Sequence, residues 1–163
     1  MAKPEHDHRG ESVAALDRST RRDLEDLFRL ATDANAALIS GAINSYLDMV
    51  APAEDFTLMD PMGGAPRHGY DPTPDFLEGL RRFFRGGTSE VELVQATASG
   101  CLAVLAVIER MRAGIADLPE QAWSLRVTLV FRRDGPRWRL LHRHADPLAG
   151  GISLEEAAAL GRR

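Results

Sequence analysis

Hydrophobic residues repeat with a helical period in the first half of the chain and alternate with polar residues in the second half. Apolar positions at helical spacing cover Leu24–Ala31 and Ala42–Val50, and the break at Gly41 predicts two helices with a joint at that glycine. A third helix is predicted to begin at Thr73-Pro74, because a capping hydroxyl followed by proline suits a first turn, and to end at Gly86-Gly87.

The strands predicted from alternation lie mostly after the third helix. They are a short strand, Asp55–Asp60, a hairpin of Val91–Ala98 and Cys101–Met111, and a second hairpin of Gln121–Arg133 and Trp138–Asp146. We interpret Ala113–Glu120 as a loop and Asp134-Gly135 as the tight turn of the second hairpin, since such turns need positive φ. Helices first and strands after predict an α+β domain, with about three helices packed on a curved antiparallel sheet.

Length and composition limit the classes of protein that the chain can form. Its 163 residues suit one domain, which we place at 19–150, between a polar leader at 1–18 and a short helical tail at 151–163. The net charge of −4, without a basic stripe, argues against a nucleic-acid partner. No apolar run is long enough to span a bilayer, so we expect no membrane partner and a soluble cytoplasmic protein. Cys101 is the sole cysteine, which excludes a disulfide within the chain.

The last predicted strand carries ionisable side chains in line with apolar ones. Alternation places these residues on one of its sides: Trp138, Leu140, His142, His144 and Asp146. If the preceding turn is a two-residue loop, Val127 faces His142, and the histidines share the apolar face of the neighbouring strand. A three-residue loop or a bulge reverses this assignment. Buried polar groups need partners, so the row indicates a site or, alternatively, histidines satisfied in the core or at an interface.

Several motifs match, in order, those of a known superfamily. They are Gly41 followed by Tyr46-Leu47, the run E-D-F-T-L-M-D-P at Glu54–Pro61, the loop P-R-H-G at Pro66–Gly69, and W-R-L-L-H-R-H-A-D at Trp138–Asp146. Over residues 20–148 the chain resembles the nuclear transport factor 2-like superfamily, which includes ketosteroid isomerases and SnoaL-like polyketide cyclases. The resemblance implies a cone-shaped α+β fold, a pocket between the helices and the concave face of the sheet, and a homodimer that packs sheet against sheet.

The resemblance also implies which residues act. Asp60, in the D-P pair at the end of the first strand, resembles the general base of the isomerases. The oxyanion-hole donors of those enzymes fall at about Ala34 and Leu129 here, and neither side chain can donate a hydrogen bond. Since one such donor contributes about 2.7–4 kcal/mol to catalysis, classical steroid isomerase activity is not expected.

The predicted site combines Asp60 and His144, as catalytic acid–base residues, with five residues of the pocket. The pocket residues are Tyr46, Trp123, Phe131, Trp138 and His142. A carboxylate at the mouth of an apolar pocket suits a general base, and the alternative role for Asp60 is to cap the loop beside Pro61. We predict no cofactor and no metal, because two histidines at alternate positions need a further ligand that the sequence does not place.

Together, the pocket and the resemblance predict a SnoaL-like protein that binds a small apolar molecule. Its activity would be that of a cofactor-independent isomerase, cyclase or dehydratase, with acid–base chemistry on a carbonyl-bearing substrate. The alternative is a non-catalytic ligand-binding or dimerisation module, because one fold hosts both uses. The sequence leaves open whether the chain is an enzyme.

Overall fold

Two helices joined at a glycine open the computed structural model, which describes residues 17–71 and 73–162. Helix α1 spans Arg18–Ile39 and α2 spans Ile43–Val50. Gly41 between them has φ +82°, and a Cβ there would lie 3.2 Å from the carbonyl oxygen of Phe84, so both conformation and space favour glycine. The predicted joint is therefore confirmed. Residues 1–16 of the predicted leader lie outside the described residues.

The remaining elements form a six-stranded sheet with one helix before its long strands and one after them. In chain order they are β1 (Thr57–Met59), β2 (Arg67–His68), α3 (Pro74–Phe83), β3 (Phe84–Ser99), β4 (Leu102–Ile115), β5 (Gln121–Asp134), β6 (Arg137–Pro147) and α4 (Leu154–Leu160). The strands lie in the order β2-β1-β6-β5-β4-β3, and every pairing except the parallel β1–β6 pair is antiparallel. This arrangement confirms the predicted α+β class. Among the described helices, none combines the length and apolar character that crossing a membrane requires.

The prediction that the third helix ends at Gly86-Gly87 is wrong, because both glycines lie within β3. Gly87 pairs with Ala113, and a Cβ at this glycine would lie 2.2 Å from the carbonyl oxygen of Arg112. Glycine therefore permits a close approach of two strands here and does not terminate the helix. The paired strand β4 accordingly continues to Ile115, into the segment that we interpreted as a loop.

The hydrophobic core lies between α1 and one face of the sheet, which we call the inner face. Helix α1 contributes Leu24, Leu27 and Ala31, the predicted helical stripe, and all three are buried. Alternate residues of β4 and β5 meet this stripe: Ala103, Leu105, Val107, Leu125, Val127, Leu129 and Phe131. Each fully buried leucine or phenylalanine stabilises the fold by roughly 1.5–3 kcal/mol. Side chains on the opposite, outer face are exposed or half-buried.

The turn between β5 and β6 differs from the prediction by one residue. It consists of Gly135-Pro136 and not of Asp134-Gly135, because Asp134 pairs with Arg137. The turn therefore shifts the pairing along β6 by two residues, so each side chain of β6 would stay on its predicted face if no other irregularity followed. Leu140 accordingly lies on the inner face, where it is 1% exposed.

A β-bulge further along β6 decides which side chains reach the inner face. Phe131 pairs with Leu140, whereas the next pair joins Val130 to His142. Leu141 is therefore an extra residue on β6 that has no partner on β5. Beyond this bulge the alternation of β6 relative to β5 is reversed.

The bulge makes the predicted facing of the last strand wrong. Val127 pairs with Ala145 and not with His142. Arg143 and Ala145 take the inner positions of β6, while three ionisable residues move to the outer face. The outward residues are His142, His144 and Asp146. A single inserted residue has this effect because strand side chains alternate with a period of two.

Candidate active site

A cavity lies on the inner face, between α1, α2 and the three strands β4, β5 and β6. Its walls are mainly apolar and include Leu38, Val50, Leu129, Phe131 and Leu140. Four polar residues also line it: Asn35, Tyr46, Glu109 and Arg143. The free volume is about 20 Å³, which accommodates one water molecule or one polar group of a ligand.

Glu109 and Arg143 form an ion pair inside this cavity. Nη2 of Arg143 donates to Oε2 of Glu109 at 2.7 Å, and the two side chains are only 13% (Arg143) and 5% (Glu109) exposed. Glu109 occupies an inward position of β4 between Val107 and Met111, and Arg143 reaches the same side because of the bulge at Leu141. Removing one member of such a pair leaves a buried charge uncompensated, which costs about 3–5 kcal/mol.

Two buried polar atoms at this cavity have no hydrogen-bond partner among the described residues. They are Nη1 of Arg143, a donor, and Oδ1 of Asn35, an acceptor. Asn35 is 5% exposed and lies four residues after Ala31, on the apolar stripe of α1. An unsatisfied buried group costs about 1–3 kcal/mol, so these two atoms indicate a place for a water molecule or for a polar group of a ligand.

Tyr46 of α2 brings a phenol to the same cavity. Burial raises the pKa of Tyr46 above its ordinary value of 10.0, Arg143 opposes the shift and Glu109 adds to it. Both charged groups are thus close enough to influence the phenol. A phenol is protonated at neutral pH even at the ordinary value, so the Tyr46 hydroxyl can donate a hydrogen bond.

Asp60 does not line the cavity. It lies in the turn after β1, where Oδ1 accepts the backbone N–H of Met62 at 3.0 Å. Its other carboxylate oxygen, Oδ2, is 3.4 Å from Nη2 of Arg67. These contacts are those of a loop cap, the alternative role considered for this residue.

His142 and His144 lie on the outer face, on the other side of the sheet from the cavity. Nδ1 of His142 is 2.6 Å from Oγ1 of Thr57, so this histidine links β6 to β1. His144 is exposed, between Thr128 of β5 and Met59 of β1. Within residues 17–71 and 73–162, no group of three His, Cys, Asp or Glu side chains is placed to hold a metal ion.

The predicted aromatic residues differ in their relation to the cavity. Phe131 is 1% exposed and forms part of its wall. Trp123 and Trp138 pack against the core instead: Nε1 of Trp123 donates to the carbonyl of Ala113 at 3.2 Å, and the guanidinium of Arg133 lies 4.6 Å from the Trp138 ring centroid. Of the seven predicted site residues, the structure therefore brings Tyr46 and Phe131 to the cavity.

Three polar residues of the cavity were not among the predicted site residues. The sequence pattern indicates Glu109, because it is the only charged residue among the alternate residues of β4 that face inward. These are Ala103, Leu105, Val107, Glu109, Met111 and Ala113. The pattern indicates Asn35 more weakly, as a polar residue on an apolar helical stripe. It does not indicate Arg143, because the inward position of that residue depends on the bulge.

The outer face of the sheet forms a larger, open concavity of about 380 Å³. The side chains that shape it are those of Val94, Ala106, Ile108, Arg126, Thr128, His144 and Asp146. Val94 is 62% exposed, because a register shift in β3 displaces it from the ladder. Nε of Arg126 donates to Oδ1 of Asp146 at 2.7 Å, so this surface combines apolar side chains with an ion pair.

Helices α1 and α2 on one face of a mostly antiparallel sheet form an α+β fold that the chain shares with solved structures described as nuclear transport factor 2-like. The sequence profile of the SnoaL-like domain family matches residues 28–149. The chain therefore belongs to the SnoaL-like domain family, and the resemblance stated from its motifs is confirmed. No curated protein matches the sequence significantly.

Solved structures with the same fold carry names of different kinds. A candidate scytalone dehydratase from Novosphingobium aromaticivorans has a TM-score of 0.65 at 13% identity, over 80% of this chain and 96% of its own. A candidate dehydratase of the same superfamily from Streptomyces avermitilis has 0.60 at 19% identity, over 79% and 98%. The association domain of calcium/calmodulin-dependent protein kinase II from C. elegans has 0.59 at 13% identity, over 80% and 99%. At these identities the likeness concerns the fold alone.

Proposed function

We propose that this protein binds a small, apolar, carbonyl-bearing molecule with the carbonyl in the inner cavity, and acts on it as a cofactor-independent isomerase, cyclase or dehydratase. The observation that carries the proposal is the buried Glu109–Arg143 pair beside Tyr46, with one Arg143 donor left unmatched. An apolar cavity with a few convergent polar groups is the usual form of a small-molecule site. Two of the structural neighbours carry dehydratase names, which agrees with this class of reaction.

The polar groups suit proton transfer next to a carbonyl. Nη1 of Arg143 and the Tyr46 hydroxyl are donors for the carbonyl oxygen, and each donor to a developing oxyanion is worth about 2.7–4 kcal/mol. The carboxylate of Glu109 is the acceptor for a proton from the adjacent carbon. A positioned acid–base group typically accelerates such a step about 10²–10⁴-fold.

The small free volume requires the rest of the substrate to lie outside the polar end of the cavity. The apolar wall that it would meet includes Leu38 of α1 and Val50 of α2. Helix α2 is eight residues long and is bounded by Gly41, with φ +82°, and Ala51, with φ +40°. We propose that these two residues act as hinges at which α2 moves outward to admit the substrate.

Exchange of the α-protons of enolisable ketones for deuterium, followed by NMR, tests the role of Glu109. Glu109→Gln should reduce the exchange rate about 100-fold or more, because the amide cannot accept the proton. Asp60→Asn and His144→Ala are the matched controls and should retain the wild-type rate. The proposal fails if Glu109→Gln, with an unchanged circular dichroism spectrum, exchanges as fast as the wild type, or if Asp60→Asn alone abolishes exchange.

A second candidate function is assembly of copies of the chain through the outer face. The concavity around Val94 and Ile108, and the 41% exposure of Met59, give this face apolar surface that remains in contact with water in the single chain. One structural neighbour is an association domain by name. Val94→Glu and Ile108→Glu should each lower the sedimentation coefficient to that of a monomer, with Asp26→Asn, at an exposed position of α1, as the control. A wild-type chain that sediments as a monomer would remove this candidate.

A further inference from the structure

Asn35 is a polar residue whose place on α1 would suit an apolar one. It follows Ala31 by four residues and precedes Leu38 by three, which puts it on the stripe that packs against the sheet. Its side chain is 5% exposed and its Oδ1 has no partner among the described residues. Burying such a group without a partner is unfavourable. A bound ligand that donates a hydrogen bond to Oδ1 would explain why an asparagine stands at this position.

The charge balance of the cavity favours a neutral ligand. Glu109 already compensates Arg143, so the polar end of the cavity is neutral overall. A carboxylate ligand would bring a second negative charge next to Glu109 where little water is present to stabilise it. A carbonyl or hydroxyl group has no such cost.

The two unmatched atoms have opposite hydrogen-bonding character. Nη1 of Arg143 is a donor and calls for an acceptor on the ligand, whereas Oδ1 of Asn35 is an acceptor and calls for a donor. A simple ketone satisfies only Arg143 and leaves Asn35 unpaired. A carbonyl with a hydroxyl or N–H group on the neighbouring atom carries one acceptor and one donor, the complement of these two atoms.

We propose that the cavity selects neutral hydroxycarbonyl or amide compounds, with the carbonyl oxygen on Arg143 Nη1 and the adjacent hydroxyl or N–H on Asn35 Oδ1. This inference rests on the proposed function, since it names the substrate class of the same site. Asn35 is then the residue that sets specificity, and Glu109 remains the group that moves the proton.

Ligand-observed NMR on the full chain with hydroxyacetone, acetone and acetate tests the proposal. Hydroxyacetone should bind about tenfold more tightly than acetone, the equivalent of one added hydrogen bond, and acetate should bind most weakly. Asn35→Leu should bind hydroxyacetone and acetone equally, and its melting temperature should not fall, because an unsatisfied group is replaced by an apolar one. Ala36→Leu, at an exposed position of the same helix, is the matched control and should keep the tenfold preference.

The outcomes separate this inference from the proposed function. Equal binding of hydroxyacetone and acetone to the wild type would overturn the substrate class even if Glu109-dependent proton exchange were observed. Selective binding that Asn35→Leu removes would support the class even if no exchange occurred. If none of the three compounds binds, a resident water satisfies Asn35 and Arg143, and the inference is wrong.

Discussion

On the inner face of the sheet one carboxylate and one guanidinium are buried against each other, whereas the outer face carries ion pairs that remain in water. The Arg143 and Glu109 side chains are 13% and 5% exposed, but those of Arg126 and Asp146 are 62% and 39% exposed. Both pairs join strands of the same sheet and have similar contact distances. The two pairs differ in their exposure to water, and therefore in the free energy that is lost when one partner is removed.

The comparison teaches that geometry alone does not rank ion pairs. An exposed pair loses its mutual attraction to solvent screening and can be broken at little cost. A buried pair gains little over an apolar replacement but is expensive to break, because a lone charge is left without water. The inner pair is therefore informative about function, since an apolar pair would have served the fold as well.

The largest effect is expected from breaking the inner pair. Arg143→Met leaves Glu109 buried without a partner and should lower the free energy of unfolding by about 3–5 kcal/mol, measured by urea denaturation. The double variant Glu109→Leu/Arg143→Met removes both charges and should recover most of this loss. If the double variant loses as much unfolding free energy as Arg143→Met and Glu109→Leu lose in sum, the two side chains are not energetically coupled, contrary to what their 2.7 Å contact indicates.

An intermediate effect is expected from deleting Leu141. The pairs on both sides of the bulge, Phe131–Leu140 and Val130–His142, can persist without it, so Arg143 should stay on the inner face. The cost should be that of a half-buried leucine, about 1–2 kcal/mol of unfolding free energy. A loss as large as that of Arg143→Met would show that the bulge itself holds the inner pair. Deleting Ala145, which would turn Asp146 inward, is the comparison expected to cost more.

A small effect is expected from breaking an outer pair. Asp146→Asn should change the free energy of unfolding by less than about 1 kcal/mol, and the difference should shrink further in concentrated salt. Urea denaturation at low and high ionic strength measures both quantities. A loss comparable to that of Arg143→Met would mean that the two faces do not differ in the way their exposures imply.

The smallest effect is expected at acid pH from Asp55. Hydrogen bonds from Arg132, at 2.7 and 2.9 Å, lower the pKa of Asp55 from its ordinary value of 3.8. Because the folded pKa is the lower one, the stabilisation is present above the unfolded value and is lost as the pH falls through the folded value. Asp55→Asn should therefore show a shallower fall in melting temperature below about pH 4 than the wild type. A wild-type melting temperature that falls no more steeply than that of Asp55→Asn in this range would contradict the prediction.

The parts of the fold that could be predicted depend on neighbours close in sequence. The helices on either side of Gly41 follow from apolar residues three and four apart, and α3 begins at its Thr73-Pro74 signal. The role of Gly86-Gly87 could not be read in the same way, because it depends on contact with Ala113 in another strand. A glycine pair can end a helix, or it can permit close approach of two strands within a sheet. The local sequence alone does not distinguish these two roles.

The candidate site was predictable only as far as the regular elements reach. Tyr46 lies on a face of the regular helix α2 and Phe131 lies on the regularly alternating strand β5, and both line the inner cavity. The bulge is a property of the paired strands, and no local pattern marks Leu141 as the extra residue. The predicted facing of the two histidines is consequently wrong, and alternation along the sequence does not point to Arg143.

Because of the bulge, the same stretch of β6 could supply either of two sets of side chains to the interior. Odd-numbered residues beyond Leu141 supply an arginine to the interior, and even-numbered residues supply two histidines and an aspartate to the exterior. If β6 paired with β5 without the bulge, so that Leu141 lay opposite Val130 and His142 opposite Leu129, the two sets would exchange faces without any change of side chain. For protein engineering, the position of one residue in this strand is therefore a switch between an interior built on a guanidinium and one built on imidazoles.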